Sequence, residues 1–518
     1  MKVLLASLNS KYVHSNLALK YLYTAVTSDD VLMEIKEFTI NNDDSYIFRE
    51  ILGGKYDVIC FSCYIWNIEE TLYLVENIKK GQPNVTIVFG GPEVSYDAAE
   101  FMAQNKNVDF VVMGEGENTF ACLINELASG EGEYREIKGL AYRNNNGIFA
   151  NEQVESLAFE SVAFPYSLLP CENDKIIYYQ SSRGCPFNCS YCMSSLEKKL
   201  RALPLKRVFQ EIDFFISNNV RQVKFIDRTF NWDIVRCNEI LKHIIKNDNG
   251  TINFHFEICG EFIDDEFIKL LETARNGLFK FEVGIQTTYK KTLEAVNRST
   301  EIEKVLAKTR RITALENVHV HVDLIAGLPF ESYDVFKTTF NETYELLANT
   351  LQLGFLKLLK GTQIRKNAEN YSYEYRRKAP YEVISNEFLS AQDLCRLKQI
   401  EEILDLYYNR NGFEKTLKYI IETFACTPFE FFEEFAIFYN LKEFQHKSHK
   451  KEDLYRILYA YGQWKTKKLN VSIDEFLVNL TDDMKSALNP DAVKKFERKG
   501  WIICSTEKQQ MSNEGKIE

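Results

Sequence analysis

The first part of the chain alternates two rhythms. Short, nearly continuous apolar runs at residues 2–8, 31–39, 57–63, 85–89 and 108–113 read as buried strands. Between them, residues 16–26, 45–52, 68–80 and 96–104 carry helical spacing. The alternation predicts a five-strand parallel sheet with helices on both faces, which binds its ligands outside the carboxyl ends of the strands. Residues 130–170 are mixed and polar, as in Arg143-Asn144-Asn145-Asn146-Gly147, and read as a connector with a few strand-like pieces. A second alternation starts at Ile176. Strands at 176–180, 222–227, 252–258, 279–285, 319–325 and 352–359 alternate with helices at 204–217, 233–246, 264–274, 302–315 and 333–348. Six strand–helix units suit a partial α/β barrel better than an eightfold one. Beyond Gly361 the strand signal stops. Helical periodicity with many aromatics at 397–408, 416–423 and 453–461 predicts a helical third region, and the polar tail from Thr506 is expected to fray.

Composition narrows the class. With 518 residues, 45% hydrophobic and 26% charged, the chain has room for about three domains that each bury a core. A net charge of −11 supplies no basic field for nucleic acid or anionic lipid, and Lys198-Lys199-Leu200-Arg201 reads as a solvated face. No window approaches the roughly 18 apolar residues of a membrane span. The apolar start, Met1 to Ala6, turns polar at Ser7, too soon for a signal peptide. A cytoplasmic protein with no membrane or nucleic-acid partner is the expectation. Of the 12 cysteines, Cys60, Cys63, Cys122, Cys171, Cys237, Cys259, Cys395, Cys426 and Cys504 are scattered, mostly within apolar segments. There a reduced thiol acts as a small hydrophobe.

The remaining three stand together in Gly184-Cys185-Pro186-Phe187-Asn188-Cys189-Ser190-Tyr191-Cys192, directly after the first barrel strand. That places them in the first strand-to-helix loop, at the active end of the barrel. Three thiolates at C-x3-C-x2-C can converge when Gly184, Pro186 and Asn188 let the loop curl. Soft thiolates select zinc or iron–sulfur centres, and a structural zinc site wants a fourth ligand that no nearby Cys-x2-Cys or His-x3-His supplies. Iron–sulfur clusters usually take four cysteines, so three leave one iron open to a substrate or cofactor.

Here the sequence resembles the radical S-adenosylmethionine (SAM) enzymes, whose hallmark is C-x3-C-x2-C with an aromatic, Tyr191, before the last cysteine. The resemblance implies a [4Fe–4S] cluster on Cys185, Cys189 and Cys192. Its open iron would be chelated by SAM, and reductive cleavage would give a 5′-deoxyadenosyl radical. Phe254-His255-Phe256-Glu257-Ile258 looks like the family's third strand, in which an acid, here Glu257, contacts the cofactor. Gly284-Ile285-Gln286 is similar to the fourth-strand G-I-Q-S pattern, and Asn297-Arg298 resembles the N-R whose arginine meets the methionine carboxylate. Asp323-Leu324-Ile325-Ala326-Gly327-Leu328-Pro329 looks like D-x-I-x-G-L-P, with the aspartate on ribose hydroxyls. The second strand lacks the frequent Gly-Gly-Glu. Its Asp227-Arg228-Thr229-Phe230 resembles the D-x-x-F of B12-type members, which makes Asp227 a candidate for the methionine amino group.

No G-x-G-x-x-G follows the first strand, which argues against a dinucleotide fold. The first sheet instead resembles cobalamin-binding, Rossmann-like domains. Ser62 ends the third strand as their serine loop does, Gly90-Gly91 matches their G-G loop, and residues 108–117, with Gly114-Glu115, resemble V-D-x-V-x-x-G-E-G-E. His14 matches only the histidine of D-x-H-x-x-G, because Tyr12 and Leu17 stand where the acid and glycine belong. The expected division is 1–135 cobalamin-binding, 136–170 connector, 171–365 partial (β/α)6 radical SAM barrel and 366–518 helical. The last resembles the uncharacterised extension of one bacterial subgroup. Together these modules imply a cobalamin-dependent radical SAM enzyme that transfers methyl to an unactivated carbon or phosphorus, with flavodoxin or ferredoxin as electron donor and an unidentified small-molecule or peptide substrate. Rearrangement or cyclisation uses the same parts. A non-catalytic electron carrier or redox sensor would need no nucleoside pocket. A methylthiotransferase would need a second cysteine triplet, which Cys60, Cys63 and Cys122 do not form. Tyr371, Tyr373, Tyr375 and Tyr381 are expected mostly in the core.

Overall fold

The computed structural model describes residues 1–152, 157–172, 174–197, 199–424 and 427–498. Lys198, Cys426, Cys504 and the tail from Thr506 lie outside the described residues. The chain divides into two compact units. The first comprises Met1–Gly284, Leu293–His319 and Phe355–Asn386, and the second Ile285–Thr292, Val320–Gly354 and the chain from Glu387 onward.

The first unit opens with β1 (Lys2–Asn9), α1 (Leu17–Ala25), β2 (Leu32–Thr39), α2 (Asp44–Gly53) and β3 (Val58–Ser62). It continues through α3 (Ile68–Gly81), β4 (Thr86–Gly90), α4 (Ala98–Gln104), β5 (Phe110–Val112) and α5 (Gly116–Ser129). These five strands are parallel, in the order β2-β1-β3-β4-β5. Alternate residues feed opposite layers, which is why the strands read as continuous apolar runs. Leu4, Ala6, Ile59, Phe61, Ile87 and Phe89 pack with α2, α3 and α4, whereas Val3, Leu5, Val58, Cys60 and Val88 pack with α1 and α5. The sheet does not end at β5. The segment read as a connector supplies β6 (Leu140–Asn144) and β7 (Gly147–Ala150), an antiparallel hairpin that extends it to seven strands. A two-residue turn at Asn145-Asn146 closes the hairpin, and Gly147 takes a positive φ of 136°.

Then follow β8 (Ile177–Tyr179) and a small antiparallel ribbon, β9 (Ser182–Arg183) with β10 (Arg201–Ala202). Next come α6 (Leu205–Ser217), β11 (Gln222–Phe225), α7 (Ile234–Asn247), β12 (Asn253–Ile258), α8 (Asp265–Thr273) and β13 (Phe279–Gln286). Parallel pairing runs β8-β11-β12-β13. Along β13, Phe279, Phe281 and Val283 are buried while Lys280, Glu282 and Gly284 are half-buried, and the Phe281 ring lies 5.4 Å from that of Phe267 on α8. One face of these strands therefore supports helices and the other is polar. Asp233 and Asp264 cap α7 and α8 by accepting from Arg236 and Phe267 N–H groups. The repeats continue with α9 (Lys290–Ala295), α10 (Ile302–Thr313), β14 (His319–Ala326), α11 (Tyr333–Tyr344) and β15 (Thr350–Phe355). The last strand stops earlier than its apolar pattern suggests. Leu356 and Leu358 turn to pair antiparallel with residues 381–383 instead.

The described remainder consists of α12 (Gln363–Lys366), the hairpin β16 (Glu374–Tyr375) and β17 (Val383–Ser385), and α13 (Ala391–Leu404). The chain then runs through α14 (Glu414–Phe424), α15 (Pro428–Leu441), α16 (Lys451–Leu469), α17 (Asp474–Ala487) and α18 (Pro490–Glu497). Buried aromatics fill this helical part, with Phe431, Phe435 and Tyr461 in mutual ring contact. Tyr373 and Tyr381 are buried as expected, while Tyr371 and Tyr375 are half-buried. Among the described residues, no helix is long and apolar enough to cross a membrane.

Candidate active site

The ribbon β9–β10 pins both ends of the loop that carries the cysteines. Gly184 takes φ +89°, and a Cβ there would fall 2.7 Å from the Lys199 carbonyl oxygen, so only glycine lets the two arms meet. Cys185 Sγ lies 3.4 Å from Thr229 Oγ1, and the Cys192 N–H donates to the Cys189 carbonyl at 3.1 Å. Cys189 is 5% exposed. Arg298 reaches it from the turn after α9: Nη1 lies 3.8 Å from Cys189 Sγ and 3.5 Å from the Tyr191 hydroxyl, and Nη2 donates to the Gly284 carbonyl. Burial pushes the Cys189 thiol up, and the Arg298 charge opposes it. Phe187 stacks on Phe262 at 5.6 Å, and the Ser190 N–H donates to Val296 O at 2.8 Å. Among the described residues, no group of three His, Cys, Asp or Glu side chains stands ready for a single metal ion. A multi-iron cluster separates its thiolates farther than one ion does. The donor set, three cysteines with a neighbouring guanidinium, fits an anionic iron–sulfur cluster.

Asp227, 1% exposed, accepts from the Ser181 N–H (2.7 Å), Ser181 Oγ (2.6 Å) and Ser182 Oγ (2.7 Å). It fixes the strand end from which the cysteine loop departs. Glu257, half-buried on β12, stands in register with Glu282, and its carbonyl accepts from the Phe230 N–H at 2.7 Å. Glu282 lies 3.2 Å from both Lys224 Nζ and His255 Nε2.

Gln286 and Asp323 belong to the second unit. Gln286 has a left-handed φ of 69°, and its buried Oε1 has no hydrogen-bond partner among the described residues, an acceptor suited to a ligand donor. Asp323 Oδ1 lies 3.0 Å from His321 Nε2 on β14. In the same unit Glu331, fully buried after Gly327-Leu328-Pro329-Phe330, accepts from Thr287 (2.5 Å) and Thr339 (2.9 Å). Burial raises its carboxyl from 4.5 to about 7. A raised acid contributes stability below its unfolded pKa and loses it as pH rises through the folded one. We expect roughly 3 kcal/mol to be lost across that range, and Glu331→Gln to flatten the pH dependence in denaturant titrations.

At the carboxyl end of the first sheet, three loops are bonded to one another. The Cys63 N–H, just after Ser62, donates to Gly90 O at 2.7 Å, Ser95 Oγ donates to Gly91 O at 2.8 Å, and the Gly114 N–H approaches Ser95 Oγ at 3.4 Å. Gly91 takes φ +105°, and a Cβ there would fall 2.6 Å from the Cys63 carbonyl. Gly114 takes φ +70° beside open space, while Gly90 makes only ordinary contacts. Trp66, 42% exposed, stacks on Tyr64 at 4.3 Å. Open glycine backbone with an aromatic platform fits a flat corrin. His14 is engaged elsewhere: its Nδ1 lies 2.7 Å from the Tyr178 hydroxyl of β8, and burial lowers its pKa.

Glu115 is an ion-pair residue. It accepts from both Arg201 Nη atoms and from the Leu157 N–H, and lies 3.7 Å from Arg183. Burial raises its carboxyl, but hydrogen bonds from Arg201 and Glu197 and the charges of Arg183 and Arg201 together outweigh that and bring it to about 2. Arg183 donates to Glu117. Thus the start of α5 grips both arms of the cysteine loop. The sequence reading missed Arg183, Arg201 and Glu117.

With this geometry in place, the comparisons agree with it. The B12 binding domain matches residues 2–124, and the Radical SAM superfamily matches residues 179–343. The chain thus carries a segment similar to the B12 binding domain ahead of a segment similar to the Radical SAM superfamily. Residues 369–514 match a protein family of unknown function, DUF4080. The 2-(S-pantetheinyl)-carbapenam-3-carboxylate methyltransferase of Streptantibioticus cattleyicolor is 27% identical over 54% of this chain and 44% of its own length. The chain thus spans about half the length of this curated relative. The cobalamin-bound structure of OxsB, titled a cobalamin-dependent S-adenosylmethionine radical enzyme, superposes with a TM-score of 0.63 at 14% identity, covering 98% of this chain and 82% of OxsB. The methyltransferase TsrM from Kitasatospora setae, solved with cobalamin and a [4Fe-4S] cluster, gives a TM-score of 0.59 at 17% identity over 73% and 76%. At these identities the two structures speak to the fold alone.

Proposed function

We propose that this protein is a cobalamin-dependent radical SAM methyltransferase acting on an unactivated substrate carbon. The observation that carries the reading is the grip of Glu115 and Glu117 on Arg201 and Arg183, which ties the B12-type sheet to both arms of the cysteine loop. When bound, the cluster and SAM supply a 5′-deoxyadenosyl radical, and cobalamin supplies a transferable methyl group. Cys185, Cys189 and Cys192 would hold the cluster, with the Tyr191 hydroxyl 3.5 Å from Arg298 Nη1. Arg298 balances charge beside Cys189 and is placed to pair with a carboxylate. Asp227, with both carboxylate oxygens engaged by Ser181 and Ser182, shapes the loop rather than touching SAM. By the family resemblance, Glu257, Gln286 and Asp323 are each candidate acceptors toward SAM. Ser62, Gly90, Gly91 and Gly114 line the corrin site, and Glu115 braces it. His14, bonded to Tyr178, has no proposed role toward the corrin. A cytoplasmic flavodoxin or ferredoxin supplies the electron.

Anaerobic reconstitution with iron, sulfide and hydroxocobalamin, then reduction with SAM, tests this. We expect 5′-deoxyadenosine and corrin retained through gel filtration. Arg298→Lys should weaken SAM binding about 10- to 100-fold, the worth of a lost charge-assisted hydrogen bond. Cluster assembly without SAM binding or cleavage refutes the enzyme reading, and a cobalt-free product refutes its B12 half.

A further inference from the structure

Residues 356–382 run between the two candidate sites inside the first unit. The segment doubles back on itself: the Leu358 N–H donates to Tyr381 O at 3.0 Å, and the Val383 N–H to Leu356 O at 2.9 Å. Arg365 stiffens it by stacking over Tyr381 (4.6 Å) and Tyr375 (5.6 Å) while donating to Leu358 O at 2.9 Å. On one side, the Ile364 N–H donates to the Ser190 carbonyl at 2.9 Å, inside the triplet between Cys189 and Cys192. On the other, three contacts hold the turn after β4. The Tyr381 hydroxyl donates to the Glu93 carboxylate. Lys360 Nζ lies 3.0 Å from Asp97 and 3.6 Å from Glu93. Gly361, at φ +81°, lies so close under Tyr96 that a Cβ would fall 2.6 Å from the ring.

Glu93 directly follows Gly90-Gly91-Pro92 and is only 2% exposed. A carboxylate is costly to bury unless it is paired, and its partners here come from this one segment. The same short hairpin therefore fixes the glycine turn and the cysteine loop.

We propose that residues 356–382 form a strap that keeps the 91–97 turn and the cysteine loop in one register, with Glu93–Tyr381 as the positioning contact. It rests on the reading above only in naming the two groups so aligned, corrin and cluster. Misplacing reacting groups by about 1 Å can cost roughly 100-fold in rate, so a rigid spacer between two cofactor loops has a function beyond stability. The strap also gives a role to the start of the family segment of unknown function, which begins at residue 369.

The test is amide hydrogen exchange on the full chain reconstituted with iron and sulfide, comparing wild type, Tyr381→Phe and the milder Glu93→Gln, which keeps an acceptor for the hydroxyl. We expect Tyr381→Phe to speed exchange roughly tenfold or more in both 91–97 and 185–192, with Glu93→Gln intermediate and α7 and α8 unchanged. Acceleration confined to 91–97, or none at all, overturns the strap; global acceleration in Tyr381→Phe leaves Glu93→Gln to decide by the same criterion. A second arm adds hydroxocobalamin and measures the dipolar coupling between cob(II)alamin and the reduced cluster. Tyr381→Phe should broaden that coupling at unchanged cobalt and iron content, and an unchanged coupling counts against the strap. A wild-type chain that takes up no cobalamin refutes the B12 reading, and the exchange arm still decides the strap.

Discussion

We expect Cys189→Ala to abolish the proposed iron–sulfur assembly and SAM cleavage while leaving the fold in place. The replacement is smaller than the thiol and sits in a nearly closed site, so it gives up little packing and one weak contact, Arg298 Nη1 to Sγ at 3.8 Å. A surface or second-layer change at a metal site costs roughly 10- to 100-fold, and loss of one of three ligands should exceed that. Iron content, the colour of the reconstituted protein and 5′-deoxyadenosine yield should fall together, with the thermal midpoint nearly unmoved. Cys237→Ala, at a fully buried cysteine of α7, is the control. It should keep the cluster at some cost in stability. If Cys189→Ala still assembled a cluster that cleaves SAM, the triplet would not be the site.

The second large effect concerns Arg183. Its guanidinium is buried against Glu117, itself 8% exposed, and stacks over Phe159 at 4.6 Å. Removing one partner of a buried pair strands the other charge, at a cost of about 3–5 kcal/mol. Arg183→Ala should lower the thermal midpoint and reduce cluster retention, because the residue is the last one before Gly184 and the triplet. Combining it with Glu117→Leu should recover much of the loss, since the stranded charge goes with it. Single and double variants that melt alike would show that the pair contributes nothing to the loop.

What the sequence disclosed follows from how local each signal is. Four of the five parallel strands, β1, β3, β4 and β5, were legible because both faces are buried, so each reads as an apolar run without reference to its neighbours, while the marginal β2 interleaves charged residues. The triplet was legible for a similar reason: its spacing and its turn residues lie within a few positions. The hairpin at Leu140–Asn144 and Gly147–Ala150 was hidden by the polar run around its turn, which is what a hairpin tip requires. The grip on the cysteine loop could not be read at all. Arg183 and Glu117 stand 66 positions apart and Arg201 and Glu115 stand 86 apart, and a single sequence records no pairing across such distances. Asp227 shows the intermediate case. Its D-x-x-F resemblance suggested a SAM ligand, whereas its hydrogen bonds to Ser181 and Ser182 on the neighbouring strand end could not be read from the sequence.

The hairpin that closes the first sheet has a bearing on how the protein behaves at high concentration. A parallel sheet with an open side strand offers unpaired backbone to any extended chain that drifts past, the usual route to strand-by-strand aggregation. Here one margin is β7, only four residues long and starting with glycine. The other is β2, where Lys36 is engaged by Glu34 and Glu50, setting charges along the outer strand. Neither margin makes a good template for a stray strand. A chain that must be loaded with iron, sulfide and a corrin, and so passes time incompletely assembled, gains solubility from both.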